Sequence, residues 1–72
     1  MPQLILTTKK GKEIAFAFKN DFTLADALNR IREVLIEKDS VGIDLTYEDL
    51  LGKVRTLIIT KQFLWQVTIS TL

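Results

Sequence analysis

A single stretch of this chain repeats its apolar residues at helical spacing, and the segments on either side of it alternate with period two. In "TLADALNRIREVLIEKDS" the residues Leu24, Ala27, Leu28, Ile31, Val34 and Leu35 recur at intervals of three and four. Thr23 is a good N-cap residue, and Asp26 three positions on completes a capping-box pattern. The spacing therefore predicts a helix over residues 24–38, ending near Asp39–Ser40. Asp26 and Arg30 are spaced to pair across one turn, worth about 0.2–0.5 kcal/mol. Ile36 lies beside the main stripe and widens the apolar face. One amphipathic helix cannot bury its stripe alone, so the period-two segments must supply a sheet for it to lie on.

Those segments are readable in order. "QLILTT", residues 3–8, and "EIAFAFK", residues 13–19, flank "KKGK", where Gly11 can adopt positive φ; together they predict a β-hairpin. Ile14, Phe16 and Phe18 share one face of the second strand, and Ala15 and Ala17 share the other. "VGIDLTYEDLLGK" supports two assignments. Its alternation fits a strand, while Thr46 with Asp49, Leu45 with Leu50, and Gly52 match helix start and stop signals. The expectation is a short strand at residues 41–45 and one helical turn at 47–51, with a strand through residue 48 as the alternative. "KVRTLIITKQFLWQVTIS" predicts a last hairpin, with strands at residues 53–60 and 63–71 and Lys61 and Gln62 at the turn. Phe63, Trp65, Val67 and Ile69 fall on alternate positions of its second strand.

The expected fold class is α+β. It is one domain over residues 1–72 with two layers in the order β-β-α-β-(short helix)-β-β and one main helix on a four- or five-stranded sheet. The front half, "MPQLILTTKKGKEIAFAFKNDFTLADALNRIREVLIEK", resembles the opening of ubiquitin-like β-grasp proteins, which share a hairpin with a Gly-Lys turn followed by a Thr-capped helix. The resemblance covers residues 1–38 and implies topology only. A conjugating member of that group ends in Gly-Gly, and this chain ends "TISTL", so modifier chemistry does not carry over.

A core this small is marginal without disulfides, metals or association. The 72 residues include no Cys and no His. Disulfides, thiolate or imidazole zinc sites, and Cys- or His-dependent catalysis are thereby excluded. The remaining Asp and Glu form no dense cluster around a glycine turn of the kind that holds calcium. "YED", residues 47–49, is the nearest approach to an acid pair, and its charges suit a helix N-terminus. The expectation is a protein that is not an enzyme and has no metal and no cofactor. The order of "MPQLILTTKK" is not that of a secretory signal, and no apolar run reaches membrane length. A cytoplasmic protein without a membrane partner is expected.

Two candidate surfaces emerge. On a sheet covered by one helix the outer face should be polar, yet residues 4–6, 57–59 and 63–65 are apolar on both parities. Assigning Ile14, Phe16, Phe18, Trp65, Val67 and Ile69 to the helix side leaves Ile5, Leu57, Ile59 and Leu64 as an apolar interface. The expected function is a small non-enzymatic interaction module with an accessory or regulatory role, self-associating through that face, with a dimer favoured and an unidentified protein partner as the other occupant. The core is expected around Phe16, Leu28, Ile31 and Trp65. The alternative is nucleic-acid binding, with Lys9, Lys10, Lys12, Lys53, Arg55 and Lys61 meeting phosphates beside Phe63 and Trp65. The net charge of +1 supplies no global field for it.

Overall fold

A computed structural model describes residues 2–72. In chain order it contains β1 (Gln3–Thr8), β2 (Glu13–Ala17), α1 (Asp21–Ile36), β3 (Gly42–Glu48), β4 (Val54–Thr60), α2 (Lys61–Trp65) and β5 (Val67–Thr71). This is an α+β fold with one main helix. Its strands form two antiparallel sheets rather than one: β2-β1-β5, and the hairpin β3-β4.

Both tight hairpins use the same turn. In the first, Thr8 N–H donates to the Lys12 carbonyl, Gly11 N–H donates to the Thr8 carbonyl, and Gly11 has φ of 85°. In the second, Asp49, Gly52 and Lys53 repeat this pattern, with Gly52 at φ of 81°. Glycine takes these left-handed positions without steric cost. The side chain at the first position closes each turn: Thr8 Oγ1 accepts from Lys12 N at 3.1 Å and Asp49 Oδ1 from Lys53 N at 2.9 Å. The sequences "TKKGK" and "DLLGK" are thus two copies of one local device.

The second copy overturns the helical turn expected at residues 47–51. Asp49 organises a hairpin loop instead of a helix start, and the strand runs through Glu48. Thr46, expected as a cap, lies opposite Thr56 with hydroxyls 3.3 Å apart. The main helix also begins earlier than expected. Asn20 is its N-cap, accepting from Thr23 N at 2.9 Å, while Thr23 Oγ1 accepts from Asn20 N. Asn20–Thr23 and Thr23–Asp26 both have the capping spacing; the earlier start satisfies a further turn of backbone groups. The helix stops at Ile36, and the expected Asp26–Arg30 ion pair is absent among the described residues.

The largest departure follows β4. No turn at Lys61–Gln62 folds β5 back onto β4. Thr60 caps a short helix instead, its hydroxyl accepting from Phe63 N at 3.1 Å. That helix carries the chain across to β1, where β5 pairs antiparallel with Leu6 opposite Ile69.

The core sits between α1 and the inner faces of both sheets. Leu24, Ala27, Ile31 and Val34 of the helix meet Leu4, Leu6, Phe18, Leu45, Tyr47, Ile59 and Leu64. Phe16 and Leu28 pack at its margin as partly buried residues. Trp65 does not join it, being 68% exposed. The alternation over residues 63–69 was misleading because residues 61–65 are helical, so Lys61 and Leu64 share the buried face and Trp65 turns away.

Candidate functional site

The expected apolar interface divides when placed in three dimensions. Leu64 is 3% exposed and Ile59 is 7% exposed, so both are core residues and neither offers surface to a partner. Leu57 faces inward beside Ile59 and is half-buried. Ile5 does lie on the outer face of its sheet, between Ala15 and Ser70, and is half-buried among small neighbours. The four positions do not form one patch.

A different apolar surface is present on the outer face of β3-β4. Ile58 is 79% exposed and Val54 is 69% exposed. Both point away from the core because their strand neighbours Leu57 and Ile59 point into it. Ile58 shares a shallow depression with the exposed Val41, Gly42 and Asp44. In sequence, the apolar run at residues 57–59 was the available signal. Which parity faced outward could be assigned only once Ile59 was seen in the core.

The six basic residues also separate. Lys61 is 8% exposed, and its ammonium donates to the Glu37 carbonyl at the end of α1. A cation there complements the negative end of the helix dipole, and it lies 5.6 Å from the centre of the Trp65 ring. Arg55 Nε donates to Asp49 Oδ2 at 2.6 Å. That bond, aided by amide donation from Lys53 and Leu51, holds the Asp49 carboxyl below its ordinary pKa; the same carboxylate raises the pKa of Arg55. Lys53 sits at the β3–β4 turn. Lys9, Lys10 and Lys12 stay together at the first turn, where they line a basin with Phe63, Gln66 and Val67.

Among the described residues no group of three or more Asp, Glu, His or Cys could hold a metal ion. Among the described residues no helix is long and apolar enough to cross a membrane. Burial pushes the Tyr47 phenol up, with opposing contributions from Arg55 and Asp49. An opening of about 620 Å³ lies against Phe22, and its wall is formed by residues of α1. Its polar lining residues, Asp21, Thr23, Asp26 and Asn29, all come from one helix, and no second element faces them. No protein-family model matches the chain, and no curated protein and no solved structure matches it.

Proposed function

We propose that this protein is a non-enzymatic interaction module that self-associates as a dimer through the outer face of β3-β4, centred on Ile58 and Val54. The observation that carries this is an excess of surface. A monomer of 8.2 kDa exposes about 4,500 Å² on the usual size scaling, and this chain exposes 5151 Å². The difference, roughly 600 Å², is close to one partner's share of the smallest stable interfaces. Association would remove that excess and supply the stability that a core without cross-links lacks.

The outer face of β4 suits this use. Along β4 the outer-face positions are Val54, Thr56, Ile58 and Thr60, with no lysine in the strand, and across the hairpin Ile58 pairs with Asp44 and Val54 with Glu48 at the margin of the face. Nucleic-acid binding is the weaker alternative, because only Lys9, Lys10 and Lys12 of the six proposed cations remain grouped and unengaged. Sedimentation across a hundredfold range of concentration tests the proposal. The expected result is a concentration-dependent dimer, and a monomer throughout would defeat it.

A further inference from the structure

Two strand edges face each other across an open cleft. Among the described residues β2 pairs only with β1, and β4 only with β3. Each therefore turns alternate N–H and C=O groups toward the gap. The gap is apolar, lined by Ile14 and Phe16 on one side and Leu57, Ile58 and Ile59 on the other, with Leu6 and Phe63. It holds about 360 Å³. Past Phe16 it continues between Ala15 and Ala17 of β2 and Tyr47 and Arg55 of the second sheet.

The charge at its two ends differs. At the Arg55 end the cation is already bound by Asp49. At the other end Phe63 borders both the cleft and the basin of Lys9, Lys10 and Lys12. Among the described residues none of these lysines has an ion-pair partner. Glu13, next in sequence, leaves this end with a positive surplus. Unpaired strand edges, an apolar lining and unanswered positive charge at one end together specify an occupant.

We propose that the cleft between β2 and β4 binds an extended acidic–apolar segment of a partner protein by strand addition. The segment's backbone bonds to the free edges of β2 and β4. Its apolar side chains of one parity cover Ile14, Phe16, Leu57 and Phe63, and its terminal carboxylates meet Lys9, Lys10 and Lys12. This is peptide recognition through main-chain pairing, with side-chain pockets supplying specificity. The cleft shares Ile58 with the proposed dimer face, so its test is run on dilute protein, where strand addition is read apart from self-association.

The test uses the full chain, isotopically labelled and dilute, with synthetic nine-residue peptides that alternate valine and threonine. One set carries two glutamates at one terminus, in both chain directions; a second carries lysines there; a third is N-methylated at alternate amides. Proton exchange and chemical shifts are followed at each backbone amide. The expected result is slowed exchange in both β2 and β4 with the glutamate peptide. The lysine and N-methylated peptides should bind at least tenfold more weakly. Replacing Lys9, Lys10 and Lys12 with Gln, all exposed and away from the core, should remove the preference for glutamate and leave the melting temperature unchanged. No binding at millimolar peptide, protection confined to other strands, or equal binding of the lysine peptide would overturn the proposal. So would protection of β2 and β4 that rises with protein concentration alone, which would assign the cleft to a second copy. A mixed-sequence DNA oligonucleotide that shifts these amides when the peptides do not would assign it to nucleic acid.

Discussion

Phe18 and Tyr47 stack with ring centroids 4.3 Å apart and planes inclined by 28°, and this contact joins the two sheets. Phe18 follows directly after β2, and Tyr47 belongs to β3. Beside them Lys19 N–H donates to the Glu48 carbonyl, and the Lys19 ammonium lies 3.1 Å from the Glu48 carboxylate. That ion pair is largely solvated and adds little. Phe18 is fully buried, so the stack carries the junction. Phe18→Ala should cost about 3–5 kcal/mol, enough to unfold much of a marginal domain. Chemical denaturation followed by far-ultraviolet circular dichroism checks it; Phe18→Leu should recover most of the loss.

Leu64 and Trp65 are neighbours with opposite environments. Leu64→Ala should cost about 2–5 kcal/mol, because it empties a packed position. Trp65→Ala should change stability by no more than about 1 kcal/mol, since it removes an exposed ring and one cation–π contact. Thermal melts of the two variants side by side test this, and the reverse ranking would contradict the helical placement of residues 61–65.

The Asp49 carboxyl has a lower pKa folded than its ordinary value of 3.8, chiefly through the hydrogen bond from Arg55. The unfolded state therefore binds the proton more tightly. The stabilisation is complete above the unfolded carboxyl's pKa and is lost as pH falls through the lower folded value. Asp49→Asn should lower the melting temperature at neutral pH, and the gap from the unaltered protein should narrow as pH falls below about 4. Melts from neutral pH into the acid range measure it.

Gly42 lies against β4 so closely that an added Cβ would come 2.6 Å from the Ile59 carbonyl oxygen. The obstacle is backbone, which cannot rotate away. Gly42→Ala should cost about 1–3 kcal/mol through forced displacement. Gly11 has open space around it but a positive φ, so Gly11→Ala should cost about 1 kcal/mol from conformation alone. Denaturant midpoints of the two variants rank these causes.

Ile58→Lys places a charge on the proposed dimer face without touching the core. It should give monomer at concentrations where the unaltered protein is dimeric, because the ammonium would have to be desolvated at the interface. The unaltered protein's melting temperature should rise with concentration and the variant's should not. Sedimentation and melts over the same concentrations provide the check. Leu64→Lys, by contrast, should unfold the chain.

The α+β class, the first hairpin and the single amphipathic helix were all determined by local pattern in the sequence. Gly11 marked a turn, Ile14, Phe16 and Phe18 alternated, and Leu24, Ala27, Ile31 and Val34 kept a helical stripe whatever residue capped it. The second hairpin turn was not read from the sequence: the Thr46–Asp49 spacing pointed to a helical turn at residues 47–51, and only the structure showed "DLLGK" closing a turn like that of "TKKGK". Tertiary structure decided the rest at residues 57–65. There the chain is apolar on both parities, so periodicity assigns no inner face. The Thr60 cap turned residues 61–65 into a helix, which buried Leu64 and Lys61, exposed Trp65, and brought β5 to β1 instead of β4. That choice depends on which strand edge lies within reach once the helix has packed, a contact between residues some sixty positions apart in the chain. It also left β4 unpaired toward β2 and Ile58 facing solvent, so both proposed surfaces come from the three-dimensional packing and could not be located by spacing alone.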